Sequence, residues 1–338
     1  MPDINIKDVA NHAGVSAMTV TRTLKTPELV KEETRQKVQD AIQELGYIPN
    51  RTASTLRSSK SNTVGITLYD IENPFISRLV MQLEKNLKKH DYVTLISFAN
   101  EEEVDDYDIY AKLKGFNVDL FIFIPTLRSD VIANLSPLAS SQCLQLFRQS
   151  YSGIDSFTVD DIYGAYLATK YLLQNGHERI LLVDFKQRLP MYRDRGYFQA
   201  FRELGKEYND DMILKLPEFR DPMHIESITK AIQEKEPTAI LAVTQKLCEA
   251  SISALTNLGL RIYDDISLIG YDDTVLAQHL GITTIAHPFD EMIKKITDWA
   301  VLKINGAGDS EVSHIKVKPY LNIRSSVKNI LTVDEDPH

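Results

Sequence analysis

Only two cysteines, Cys143 and Cys248, occur in 338 residues, and they stand far apart. Neither lies in a C-x-x-C or Cys/His spacing. That argues against a zinc-ligand set or a disulfide framework and makes a reducing cytosol the expected setting. Long apolar runs are missing as well. LFIFI at Leu120–Ile124 has the length of a strand and cannot span a bilayer. The opening MPDINIKDVA is polar, so no secretory signal is expected. G-x-G-x-x-G after a strand, G-x-x-x-x-G-K-[ST], G-x-S-x-G and H-E-x-x-H are all absent, which removes the common fingerprints of α/β enzymes. No catalytic residue, cofactor or metal is therefore expected.

Positive charge is also scarce, since the net charge is −9. Its distribution is uneven. Residues 1–60 carry nine Lys/Arg against seven Asp/Glu, whereas the remainder carries 29 against 40. From Gly46 to Lys60 there are three cations, Arg51, Arg57 and Lys60, and no acid. A weakly basic head on an acidic body fits a small nucleic-acid reader joined to a domain with another task.

The head is organised around Ile4–Lys25, INIKDVANHAGVSAMTVTRTLK. Its spacing predicts two short helices. Asn5 and Ser16 are placed to cap them, and Asp8 sits where it favours the first helix dipole. Gly14 supplies the positive φ that turns the chain between them. Ile6, Val9 and Ala10 share one face of the first helix, and Val20 and Leu24 one face of the second. Ala17, Met18, Thr21, Arg22 and Lys25 form the outer strip. A helix-turn-helix with an outward basic strip is the layout of a major-groove reader; a helical hairpin that is merely polar outside is the bland alternative. A third helix is predicted from about Glu32 to Leu45, with Val38, Ala41, Ile42 and Leu45 inward and Gly46 ending it. Residues 51–62 follow as a hinge and linker. Arg51–Arg57 is too short for a stable isolated helix, so it either orders on a partner or is an ordinary disordered linker.

From Thr63 onward strands alternate with helices. TVGITLY, YVTLISF, DLFIFIP, CLQLF, RILLVD, a short strand near Met212–Leu216, TAILAV, ISLIGYDD, TTIAH, HIKVKP and YLNIRSS read as strands. Helices are predicted near Phe75–Lys89, between the second and third strands, near Ser129–Ala139, Tyr163–Gln174, Met191–Leu204, up to about Leu258, briefly before TTIAH, and at Phe289–Ile304. This alternation implies α/β architecture with parallel sheets in two lobes, over residues 63–333. Ligands then bind beyond the carboxyl ends of the strands, between the lobes. TVDEDPH reads as a loose acidic tail, residues 334–338 forming its end.

The motifs IKDVANHAGVSAMTVTRTL, EETRQKVQDAIQELGYIPN, DIENPF, NGHERI, GYFQAF, GLRIYDDISLIGYDD and TTIAHP occur in this order. Together they resemble the LacI/GalR family of bacterial transcription regulators over essentially the whole length. The resemblance implies a headpiece at residues 1–50, a hinge helix, and a two-lobed core similar to periplasmic binding proteins. Carried over residue by residue, it assigns Ala17, Met18 and Arg22 to base reading in the major groove. A guanidinium there can pair bidentately with guanine. It places Asn5, Ser16, Thr19, Thr21, Thr34, Tyr47 and Asn50 at phosphates. Ala53 and Leu56 fall at minor-groove positions, Leu56 as the unstacking wedge; Ser54 departs from the family's usual arginine.

For the effector, the resemblance points to Asn73, Phe75, Arg148, Arg193, Phe219, Thr244, Asp272, His287 and Phe289. Thr244-Gln245 stands where the family usually has Asn-Asp, and Phe147 stands where an aspartate often precedes Arg148. Loss of those acids with Arg148 and Arg193 kept favours an anionic effector such as a sugar phosphate. The alternative gives Arg148 a structural salt bridge to Asp160 or Asp161. LFRQSYSGIDSFTVDDIYGA is also similar to the corresponding part of trehalose repressors that sense a phosphorylated disaccharide. The expected protein is thus a cytoplasmic, homodimeric repressor of carbohydrate uptake or catabolism genes. It binds pseudo-palindromic double-stranded operator DNA and a sugar or sugar phosphate, with no membrane partner. A regulator of a non-sugar metabolite and a solute-binding protein are the rival readings.

Overall fold

The structure, a computed structural model, describes residues 4–48, 60–68, 71–98, 106–125, 142–186, 192–217, 223–306 and 311–331. The chain divides into two compact units, Met1–Ser61 and Asn62–His338.

The first unit contains helices α1 (Ile6–Ala13), α2 (Ala17–Lys25) and α3 (Glu32–Leu45). Asn5 caps α1 by accepting from the Lys7 amide at 2.9 Å, while Asp8 accepts from the Asn5 amide at 2.8 Å. This reciprocal arrangement satisfies amides that the first turn leaves without partners. Gly14 takes φ 65° and lets the Val15 amide return to the Ala10 carbonyl at 2.9 Å. Ser16 caps α2 through the Thr19 amide at 3.1 Å. Val9, Ala10, Val20, Val38 and Ala41 form the buried core. Leu24, expected inward, is instead 41% exposed, and Thr23 takes the buried position. Thr23 can do so because its hydroxyl donates to the Thr19 carbonyl at 2.9 Å, leaving only its methyl to pack.

The second unit holds two six-stranded sheets. In the first lobe, β1 (Thr63–Leu68), β2 (Val93–Phe98), β3 (Leu120–Phe123), β4 (Cys143–Leu146), β5 (Asp155–Val159) and β11 (His314–Val317) run in the order β11-β5-β4-β3-β1-β2. All these pairs are parallel. In the second, β6 (Ile180–Phe185), β7 (Ile213–Leu216), β8 (Ala239–Ala242), β9 (Ser267–Tyr271), β10 (Thr283–Ala286) and β12 (Tyr320–Asn322) run β12-β10-β9-β8-β6-β7, with only β10–β12 antiparallel.

The helices are α4 (Pro74–Lys88), α5 (Asp106–Gly115), α6 (Asp161–Gln174), α7 (Arg193–Glu203), α8 (His224–Lys235), α9 (Gln245–Asn257), α10 (Val275–His279) and α11 (Phe289–Ile304). Although α11 follows a second-lobe strand, it buries Met292, Ile296 and Trp299 in the first lobe's core. The chain therefore crosses between lobes after β5, after β10 and after β11. These crossings place His287 and Asp161 at the junction.

Two elements were not expected from sequence. Strand β5 carries Asp155, Ser156 and Thr158, which break its apolar pattern. Asp155 is buried because it accepts from Trp299 Nε1 at 2.7 Å and the Ser313 amide at 2.7 Å, and pairs with Lys303 at 2.8 Å. Helix α8 offers only a short apolar stripe of Ile228, Ala231 and Ile232. The expected helix near Ser129–Ala139, the hinge around Arg51–Arg57 and the acidic tail lie outside the described residues.

The NGHERI stretch also acquires a structural role. His177 is buried and bonds the Lys328 carbonyl at 2.9 Å, the Thr238 hydroxyl at 3.1 Å and the Ser267 hydroxyl at 2.9 Å, so it pins the C-terminal segment. Burial holds its pKa below the ordinary value, against the opposing pull of the Lys328 carbonyl. The unfolded chain accepts a proton that the native imidazole resists. Native stability is therefore full above the ordinary histidine pKa and falls as pH drops toward the depressed one. Urea midpoints should decline between about pH 7.5 and about pH 5.5. The decline should be smaller for His177→Gln; equal declines would remove His177 as its source.

Candidate DNA-reading surface and effector cleft

On α2 the buried residues are Val20 and Thr23, and the opposite face is exposed. Met18 is 72% exposed, and Arg22 has no ion-pair partner among the described residues. The two stand four residues apart and so share a face. The neighbouring hydroxyls are engaged locally. Ser16 Oγ and Thr19 Oγ1 lie 2.9 Å apart, and Thr21 Oγ1 donates to the Ala17 carbonyl at 3.0 Å. Ala17 is half-buried and packs against the core, as does Tyr47. Asn5 is exposed at the start of α1, and Thr34 is half-buried in the first turn of α3. Asn50, Ala53 and Leu56 lie outside the described residues.

In the core, the assigned effector residues follow the carboxyl ends of strands. Asn73 caps α4 by accepting from the Phe75 amide at 2.9 Å, which fixes where Phe75 leaves the backbone. After β4, Phe147 sits at φ 63°, a left-handed turn uncommon for an aromatic residue. The Phe75 ring lies 5.6 Å from Phe147, 4.9 Å from His287 and 5.9 Å from Phe289. Arg78 covers Phe289 at 4.1 Å. These separations are those of favourable tilted and edge-to-face ring pairs.

From the second lobe, Asp272 stands just beyond β9, also left-handed at φ 63°. His287 Nε2 and Asp272 Oδ1 are 2.9 Å apart. A neutral imidazole that donates there leaves Nδ1 as an acceptor. Nδ1 is buried and has no hydrogen-bond partner among the described residues. His287 thus links Asp272 of one lobe to the ring cluster of the other.

Arg193 behaves differently from the expectation of an open cation. Its Nε donates to Asp161 Oδ1 at 2.9 Å, Nη2 lies 2.7 Å from the same oxygen, and Nη1 donates to the Val243 carbonyl. The guanidinium covers Tyr271 at 4.1 Å, and Tyr271 donates to the Asp161 carbonyl at 3.2 Å. Burial alone would lower the Arg193 pKa. The negative charge of Asp161, with Tyr271 and Asp272, outweighs it and holds the group protonated.

The proposed partners of Arg148 are thereby occupied: Asp161 pairs with Arg193, and Asp160 lies 3.3 Å from Lys316. Arg148 Nη1 instead donates to the Pro125 carbonyl at 3.0 Å. Thr244 caps α9 by accepting from the Leu247 amide at 3.2 Å. The next residue, Gln245, is buried and donates to Glu249 at 2.8 Å, with its own oxygen lacking a partner among the described residues. Phe219 lies outside the described residues. Tyr271 and Arg78 were missed by sequence reasoning, and Asp161 was weighed as a partner for Arg148 where it pairs with Arg193. Tyr271 stands inside the GYDD motif, and Arg78 carries no local signal.

A three-helix unit with an exposed reading helix, followed by two parallel-sheet lobes with residues converging at their strand ends, defines a DNA-binding regulator with an effector-binding core. Residues 5–50 match the bacterial regulatory proteins of the lacI family, and residues 169–327 match the periplasmic binding protein-like domain. HTH-type transcriptional regulator DegA of Bacillus subtilis (strain 168) is 32% identical over 295 residues, covering 85% of this chain and 87% of DegA. A lac repressor dimer bound to operator and the anti-inducer ONPF aligns with TM-score 0.81 at 22% identity, over 96% of this chain and 99% of that one. A LacI family regulator from Enterococcus faecium with bound ribose aligns at 0.67 and 26%, over 79% and 99%. The chain belongs to the lacI family of bacterial transcriptional regulators.

The Arg193 pairing has a direct consequence. Asp161→Ala strands a buried guanidinium, at a cost of about 3 kcal/mol in urea unfolding. A loss under about 0.5 kcal/mol, the range of an ordinary surface substitution, would show the pair to be dispensable.

Proposed function

We propose that this chain represses genes of carbohydrate uptake or catabolism, as a cytoplasmic homodimer on a pseudo-palindromic operator. A sugar or sugar phosphate in the cleft sets its affinity. The observation that carries the effector class is the contact series Phe75–His287–Asp272. A pyranose offers C–H faces to aromatic rings and hydroxyls to a carboxylate and an imidazole acceptor. The ribose-bound relative accords with this. With Arg193 committed to Asp161, Arg148 is the residue proposed to separate phosphorylated from neutral sugars.

Dimer formation is supported by the apolar edge of the first lobe. Val93, Ile96 and Phe98 on β2 are 41%, 39% and 59% exposed, with Met81 on α4 at 63%. Leu56 is proposed as the minor-groove wedge that unstacks a base step. Effector and operator act on each other by linkage, through differential affinity for two arrangements of the core.

Operator fragments titrated by fluorescence anisotropy against sugars and sugar phosphates test this reading. One of them should shift operator affinity about tenfold. Arg148→Ala should abolish a response to a phosphorylated sugar and spare one to a neutral sugar. The ring cluster also fits a planar heterocycle, so nucleobases belong in the panel. A response confined to them would replace the carbohydrate reading.

A further inference from the structure

The reading strip of α2 has few chemical means of telling bases apart. Ser16 and Thr19 share one hydrogen bond at 2.9 Å, and Ser16 Oγ also accepts from the Thr19 amide at 3.1 Å. Thr21 donates to the Ala17 carbonyl at 3.0 Å, and Thr23 is buried with its hydroxyl on the Thr19 carbonyl at 2.9 Å. Ala17 packs against the headpiece core. What projects from the strip is Lys25, a point charge suited to phosphate, Arg22, a five-donor fork, and Met18, a thioether arm that is 72% exposed. A methionine contributes to the core by burial, and here the core is filled by Val9, Ala10, Val20, Val38 and Ala41 without it.

Building on the assignment of α2 to the major groove, we propose that Met18 is a specificity-determining residue that reads the C5 methyl group of a thymine. The groove displays donors, acceptors and one apolar group, the thymine methyl. A flexible, polarisable thioether has no hydrogen-bond donor with which to read the others, and it adapts readily to a methyl surface. Met18 and Arg22 share one face of α2, four residues apart, so the thymine lies in the same half-site as the guanine that Arg22 suits. Each half-site then contains a T·A pair and a G·C pair.

The test uses the full-length chain and duplexes enriched from a randomised pool. Each thymine of the enriched duplex is replaced in turn by deoxyuridine, which removes only the methyl group. One thymine per half-site should respond, with affinity falling about fourfold for loss of one buried methyl contact. Met18→Ser, altered at an exposed position that the fold does not need, should show no difference between thymine and deoxyuridine there. Replacing that T·A pair by 5-methylcytosine·G should bind the wild type better than cytosine·G does. Enrichment without any deoxyuridine effect, or equal effects in wild type and Met18→Ser, overturns the methyl assignment alone. Failure to enrich any sequence overturns the DNA-reading role of α2, and the methyl assignment with it.

Discussion

The bond between His287 and Asp272, 2.9 Å long, is the contact on which the arrangement of the core depends. Each lobe has its own buried cluster, centred on its own sheet. Beyond the backbone crossings, the lobes need side-chain contacts to hold a defined relation. His287 provides one. It sits on the crossing after β10, bonds to a carboxylate of the second lobe and lies 4.9 Å from Phe75 of the first. Because Nδ1 is buried without a partner among the described residues, the contact carries a desolvation cost that a ligand donor could relieve. A group that is incomplete at the junction of two bodies is a natural point for ligand control.

Elsewhere in the core, the buried acids and arginine among the described residues are paired. Asp161 holds Arg193, and Asp155 gathers Trp299, Lys303 and a backbone amide. Asp161 lies just past the crossing after β5, so its pair with Arg193 also fixes where the chain enters the second lobe. Close backbone approach does similar work at Gly196. A Cβ there would come within 2.1 Å of the Ile162 carbonyl oxygen, which is why α6 and α7 pack only with glycine at that position. The start of α7, and with it Arg193, is held against Asp161 by this proximity. The groups proposed to meet the effector are less completely committed, chiefly Asp272, His287 and the phenylalanine rings.

Much of this was legible in the sequence, for identifiable reasons. Apolar periodicity located the headpiece helices and most strands because those elements bury one continuous face. It passed over β5, whose buried Asp155 is explained only by partners more than 140 residues away, Trp299 and Lys303. It assigned Leu24 inward because it could not register that Thr23 would satisfy its own hydroxyl. Cap positions Asn5, Ser16 and Gly14 could be read directly, since their partners lie within a few residues. The cleft could be read only as a set of residue types. Arg193 signalled positive charge, and its neutralising partner Asp161 lies 32 positions earlier. The balance of charge at a site depends on such distant pairings, and so the preference for an anion loses the support of Arg193.

The central claim is that His287 couples the ring cluster of the first lobe to Asp272 of the second. A double-mutant cycle on urea stability with Phe75→Ala and Asp272→Asn addresses it most directly. Both residues contact His287, so the account predicts an interaction energy of at least about 0.5 kcal/mol between the two substitutions. Strict additivity would contradict it, since it would mean that the two lobes meet at this site without sharing a load.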